Sequence, residues 1–223
     1  MITEKITSEK ISEEQEKQLK RLFEDAMNAL GLSKDQAQEI IKNGGKMQAG
    51  IKEVMSKLSI ADQRFQLLNT FELVVPKNYE HKNRLDSFRK AHKKEFYFYN
   101  DAITDKNFSK ATTKLTPGRK FKVKIFQITE RVTSENCMDF LKTQNAVLVG
   151  AQGASLVYEL KKEQLPMGKW SVSFDEKDAL WEDSDGDHRV PSVSRYSGGG
   201  WEFNLGIFGI DWGADDCLVC FCD

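Results

Sequence analysis

The sequence predicts an α+β protein, with a helical segment at the N-terminus and short antiparallel strands at the C-terminus. Three observations lead there. Apolar residues recur at helical spacing through residues 1–58. After residue 119, an alternating strand-like run is followed by two helix-like runs and a Trp-led strand. From Trp170 to Asp223, short apolar runs are separated by Gly and Asp clusters, the pattern of small strands joined by turns. The expected organisation is a helical segment (1–58), a mixed, basic connector (59–118) and a C-terminal domain (119–223) with two helices and short strands.

In the first segment, Ser12 followed by Gln15 has capping-box spacing. Leu19, Leu22, Phe23, Ala26, Met27 and Leu30 then share one helical face, and Gly31 can close the helix. Ser33 with Gln36 repeats the start signal for a helix carrying Ala37, Ile40 and Ile41. A third amphipathic piece carries Met47, Ile51, Val54, Met55 and Leu58. Such helices suit a helical hairpin or a homo-oligomerisation arm.

In the connector, Phe71–Val75 reads as a strand stopped by Pro76, and Asn83–Glu95 as a helix with Leu85, Phe88, Ala91 and His92 inward. Phe96–Tyr99 reads as an aromatic strand. Beyond it, Phe121, Val123 and Ile125 alternate with lysines, a half-buried strand that turns fully apolar at Ile125-Phe126. Ser134 is placed to cap a helix carrying Cys137, Met138, Phe140 and Leu141. Gly150–Gly153 reads as a tight turn before a second helix, Ala154–Gln164, and Trp170–Phe174 as the next strand.

Charge is segregated along the chain. Residues 76–125 carry 14 Lys/Arg against 5 Asp/Glu, a net of +9; residues 171–223 carry 3 against 12, a net of −9. Opposite ends of the chain therefore favour opposite partners. Residues 1–20 lack a signal-peptide core, and no apolar run is long enough for a bilayer. The expectation is a cytoplasmic protein without a membrane partner, its four cysteines reduced.

No complete catalytic motif is present, so no enzyme and no cofactor are expected. Gly150-x-x-Gly153 lacks the Gly-Lys-Ser/Thr of a phosphate loop. Asp183, Asp185 and Asp187 start like a calcium loop, but His188 stands at the glycine position and Ser194 at the bidentate-glutamate position. Cys217-x-x-Cys220-x-Cys222 lies in an apolar run. On a strand, Cys220 and Cys222 share a face and Cys217 does not, so buried thiols rather than a metal site are expected. His81 and His92 read as ordinary packing or surface residues.

Two stretches carry binding chemistry. Near the C-terminus, Ser192, Ser194, Tyr196, Ser197, Glu202, Asn204 and Asp215 mix with Trp201, Ile207, Ile210, Trp212 and glycines. Rigid aromatic area beside adaptable hydrogen bonders is the chemistry of a paratope. Trp170 and Trp181 read as core. In the connector, Arg84, Arg89, Lys90 and Lys93 precede Tyr97 and Tyr99. Cations for phosphate beside rings for bases suit single-stranded nucleic acid.

The order strand, helix, helix, Trp-led strand and loop-rich strands over 119–223 resembles the two-helix, two-sheet plan of C-type-lectin-like domains. The end resembles the variable proteins of diversity-generating retroelements. There, a C-terminal segment follows an Arg and a Gly-Gly-Trp type core, and a reverse transcriptase rewrites its exposed codons. Arg195, Gly198–Gly200 and Trp201 match that core. The lectin family's disulfide cysteines and its calcium-binding Glu-Pro-Asn type motif are not recognisable here. The resemblance implies a non-enzymatic protein that binds a protein or other macromolecular ligand through residues 192–217. The alternative is a nucleic-acid-associated protein using residues 82–99.

Overall fold

In the computed structural model, the described residues are 13–45, 47–48, 50, 62–196 and 198–223. The chain divides into two compact units, residues 1–58 and 59–223. In the first, helices α1 (Glu13–Ala29) and α2 (Lys34–Lys42) are separated by Gly31, whose φ of +58° suits glycine. Ser33 and Gln36 exchange hydrogen bonds as a capping box. The Gln36 amide donates to Ser33 Oγ at 3.3 Å, and the Ser33 amide donates to Gln36 Oε1 at 2.9 Å. Leu22, Phe23 and Leu30 of α1 stand exposed. The expected cap at Ser12 and the apolar positions Ile51, Val54, Met55 and Leu58 lie outside the described residues.

The second unit is built on one mixed sheet of eight strands, larger than the short-stranded plan expected from sequence. Its strands are β1 (Phe65–Val74), β2 (Phe96–Tyr99), β3 (Lys120–Ile128), β5 (Trp170–Val172), β6 (Trp181–Glu182), β7 (His188–Arg195), β8 (Trp201–Ile207) and β10 (Asp216–Cys222). The order across the sheet is β1-β3-β10-β5-β7-β8-β2, with β6 paired beside β7. Two short strands, β4 (Val132–Thr133) and β9 (Asp211–Trp212), pair separately. Residues 59–118 and 119–223, read separately from sequence, thus share one sheet: β1 of the connector pairs with β3, and β2 with β8. That pairing is long-range, and local composition carries no trace of it.

Period-two alternation sorts side chains onto the two faces. One face carries Val123, Ile125, Val193, Phe203, Leu205, Cys217, Val219 and Phe221. Helices α3 (Arg84–His92) and α5 (Gly150–Lys161) cover it, α3 against α5 and α5 across β1 and β7. The other face carries Phe126, Ile128, Val172, Leu218, Cys220 and Cys222, and α4 (Ser134–Thr143) lays Cys137, Met138, Phe140 and Leu141 on it. Central strands covered on both faces must be apolar on both faces, which is why β10 reads as a near-continuous apolar run. Cys217 and the pair Cys220/Cys222 lie in opposite cores, as their spacing predicted.

Several element ends differ from the sequence reading, each for a local reason. The first strand starts at Phe65, because β3 offers partners along its whole length. The cap of α4 is Thr133, one residue before Ser134: its hydroxyl accepts from the Asn136 amide, and the Asn136 side chain accepts from the Thr133 amide. Ser134 is buried instead, accepting a 2.8 Å hydrogen bond from the Trp212 indole. The expected helix over Asn83–Glu95 is α3 flanked by 3₁₀ turns at His81–Asn83 and Lys93–Glu95. Gly150–Gly153 is the first turn of α5 rather than a turn before it.

Gly153 shows why that turn needs small residues. A Cβ there would stand 2.2 Å from Val149 Cγ2 and 3.0 Å from Phe221 Cε2, where α5 meets β10. Gly153→Ala is therefore expected to lower stability by about 1–3 kcal/mol despite alanine's better helix propensity. Gly213→Ala, with nothing within 4 Å of its Cβ, should stay within about 0.5 kcal/mol. Denaturant melts of the two variants check this; an unchanged midpoint for Gly153→Ala would show that the helix–sheet contact is loose.

Candidate binding surface

Beyond Val190 and Phe208, the α4-side face of β7 and β8 turns polar. Register partners share a face, so the pairing can be followed strand by strand. Asp216 of β10 stands opposite Trp170 of β5, Trp170 opposite Ser194 of β7, Ser194 opposite Glu202 of β8, and Glu202 opposite Phe98 of β2. A second row runs Leu218, Val172, Ser192 and Asn204. At about 4.8 Å per strand, the first row spans roughly 19 Å. Ser192, Ser194, Glu202 and Asn204 from the sequence reading are thereby brought onto one surface. Tyr196 lies two residues after Ser194, just past the end of β7.

Two depressions flank these rows. One, of about 170 Å³, is lined by Trp170, Ser192, Asn204, Ile210, Trp212 and Asp216. Its walls are set by close packing: a Cβ on Gly206 would stand 2.7 Å from the Trp212 ring. Asn204 Oδ1 accepts from the Leu205 amide at 2.8 Å and from Asn100 Nδ2 at 3.3 Å. Burial pushes the Asp216 carboxyl upward, while the Gly213 amide donates to it at 2.8 Å. The other depression, of about 500 Å³, lies at the sheet edge between Tyr97, Tyr196, Gly198 and Gly200.

β2 shapes that edge. The register shifts between Phe96 and Phe98, which face Trp201 and Glu202, so Tyr97 is the extra residue of a bulge. Phe96 and Tyr99 turn into the core, while Tyr97 and Phe98 stay 84% and 42% exposed. Tyr196 is also 42% exposed, and the neighbouring Glu202 carboxylate raises the phenol's pKa. The sequence reading kept Tyr97 and Tyr196 on separate surfaces; the parallel β2–β8 pairing puts them on one.

The remaining candidates are placed differently. Trp201 is buried on the α5 face, edge-on to Tyr158 with its ring centroid 5.1 Å away, and the Arg195 guanidinium lies over it. Ile207 shares that face through its partner Arg189, so it is not on the polar rows. Trp212 is buried, whereas Trp170 and Trp181, expected in the core, are only partly covered. Ser192, Ser194 and Glu202 form a shaded floor rather than protruding contacts. Asp215 is exposed and pairs with Lys169 at 3.8 Å. Ser197 lies outside the described residues.

Of the nucleic-acid candidates, Arg84 is only 8% exposed: its Nε donates to Ser155 Oγ at 2.8 Å and its Nη1 to Glu159 at 2.7 Å. Arg89 and Lys93 both bond Asp101 Oδ1, at 2.8 and 2.7 Å. Tyr99 is buried, leaving Lys90 and Tyr97 exposed without a salt bridge among the described residues. The helical phase that points Leu85 and Phe88 inward also carries Arg84 to the α3–α5 seam.

His92, read from sequence as an ordinary packing or surface residue, has two carboxylates beside it: Nδ1 lies 2.8 Å from Glu95 and Nε2 3.4 Å from Glu159. His92 and Lys162 hold the Glu95 carboxyl down at about 2. Asp183 does not stand free for a cation. It accepts from the Asp185 and Asp187 amides, each at 3.0 Å, and pairs with Arg189. Burial pushes the Cys137 and Cys217 thiols up to about 12. Among the described residues no cluster of His, Cys, Asp and Glu is arranged to hold a metal. No helix among them is long and apolar enough to cross a membrane.

The seam makes a testable distinction. Arg84→Ala removes a largely buried guanidinium, leaves Glu159 with only the His92 contact and strips Ser155 of its donor, and is expected to destabilise the fold by about 1–3 kcal/mol. Lys90→Ala should be neutral within about 0.5 kcal/mol. Equal effects in chemical melts would contradict a structural role for Arg84. The chain matches no protein-family model, no curated protein and no solved structure.

Proposed function

We propose that this is a non-enzymatic binding protein whose ligand surface is the polar face of β7 and β8 with the aromatic edge of β2. One observation carries the reading. Ser192, Ser194, Glu202 and Asn204 have one parity on paired strands, with Tyr196 just beyond the end of β7, while Val193, Trp201, Phe203 and Leu205, between them, pack the opposite core. Ligand-facing positions can therefore change without touching the residues that hold the strands. A surface on a rigid sheet also binds with little ordering cost.

The proposed partner is a protein or other macromolecule with basic or hydrogen-bonding groups, matching the −9 net charge of residues 171–223. We further propose a C-type-lectin-like plan for residues 119–223, supported by the order β3, α4, α5, Trp-led β5 and the strands after it. Within that plan the surface belongs to a retroelement-diversified variable protein. Cytoplasmic residence and self-association through α1, whose Leu22 and Phe23 are exposed, complete the proposal. The nucleic-acid alternative loses support from the placement of Arg84 and Tyr99 in the core.

Sequencing the gene's 3′ end across a natural population tests this. Adenine-derived substitutions are expected at codons 192, 194, 196, 202 and 204, beside a near-identical template repeat. Codons 193, 201, 203 and 205 should stay fixed. Variation spread evenly over both parities, with no template repeat, would remove the diversified reading.

A further inference from the structure

We infer that the depression lined by Trp170, Trp212 and Asp216 is an anchor site for one basic side chain, an arginine or lysine presented by a protein partner. The inference rests on the binding-face reading and gives that face a ligand class. The register places the carboxylate. Asp216 opens β10 opposite Trp170 of β5, on the α4-side face, and both residues line the depression. Asp216 Oδ2 accepts from the Gly213 amide at 2.8 Å, and the residue has no salt-bridge partner among the described residues. Lys169, the neighbouring cation, is engaged elsewhere: its Nζ donates to the Ala214 carbonyl at 2.7 Å and lies 3.8 Å from Asp215. Asp216 is partly buried, and less water screens such a carboxylate than an exposed one, so it attracts a partner's cation more strongly.

The other walls are apolar and fixed. Trp212 is buried, and its indole is held at both ends. Nε1 donates to Ser134 Oγ at 2.8 Å, and the far side of the ring lies over Gly206, where a Cβ would stand 2.7 Å from Cη2. Phe174 packs edge-on against the same ring, centroids 5.5 Å apart. The depression is thus preformed, and filling it orders little of the protein. Ile210, 44% exposed, and the partly covered Trp170 add apolar surface that solvent reaches. Size then selects the ligand. At about 170 Å³ the space is smaller than the roughly 300 Å³ at which sites for whole small molecules begin, so it suits a single side chain. A long basic side chain lays its stem on apolar walls and brings its charge to the carboxylate. Ser192, which also lines the depression, offers a hydroxyl as a second acceptor. An anionic side chain would meet Asp216 as a like charge, and an apolar one would leave the carboxylate covered and unpaired.

The test is an NMR titration of the full ¹⁵N-labelled chain with acetyl-Gly-Arg-Gly-amide and with its neutral citrulline counterpart. The arginine peptide is expected to shift the Gly206 and Gly213 amides saturably, at concentrations of about a millimolar. The citrulline peptide should bind about 10-fold more weakly. Asp216→Asn keeps an oxygen for the Gly213 amide but removes the charge, and should bind the two peptides alike. Ile210→Lys sets a cation beside the carboxylate from an exposed position; it should leave the thermal midpoint unchanged and weaken arginine binding about 10-fold. Asp185→Asn removes one exposed charge in the turn between β6 and β7, and should leave the affinity as it was. Equal affinity of the unaltered protein for both peptides, or no saturable shift, would overturn the anchor site. So would discrimination that survives both Asp216→Asn and Ile210→Lys, or a loss with Asp185→Asn as large as with Asp216→Asn. Each of these leaves the binding face standing, which the codon pattern judges separately.

Discussion

The second unit depends on the antiparallel register of β3 against β10. Val123 faces Phe221 and Ile125 faces Val219 on one side of the sheet, while Phe126 faces Leu218 on the other. A slip of one residue would exchange the two sets and put Lys122 and Lys124 into the α5 core. Because each face has its own helix layer, that exchange would leave both cores wrongly filled. The register is therefore held by hydrophobic burial on two sides at once, and the polar rows on β7 and β8 inherit their facing from it through β5.

The proposed binding surface lies where the second helix layer stops. α4 covers Phe126, Leu218 and Val172, and beyond Val190 the same face carries serine, glutamate and asparagine. The opposite face of those strands remains apolar under α5. On that face Ser192, Ser194 and Glu202 are buried, and Asn204 is the more accessible position of the two strands. The parallel attachment of β2 completes the surface, since it brings rings from residues 97 and 98 to strands more than a hundred residues later.

Much of the fold was legible locally. Alternation located β3, capping signals located α2 and α4, and the spacing of Cys217, Cys220 and Cys222 gave their opposite faces. The polar positions on β7 and β8 were also visible as chemistry. What local pattern could not supply was partnership. Nothing around Phe96–Tyr99 says that it pairs with β8, so Tyr97 was assigned to a nucleic-acid platform. Arg84 looked solvent-facing because composition cannot show that α5 offers Ser155 and Glu159. Trp201 reads as a contact residue because it stands among polar residues and glycines, yet strand parity turns it inward. Parity at the end of a strand could have signalled this once the strand's start was known.

The most direct measurement is the maleimide labelling rate of single cysteines placed along residues 96–99 and 201–206, the native thiols being buried. Fast labelling at 97, 98 and 204 with protection at 96, 99, 201 and 203 is the pattern the register requires. Inverted parity, or uniform rates along either strand, would contradict both the sheet register and the surface built on it.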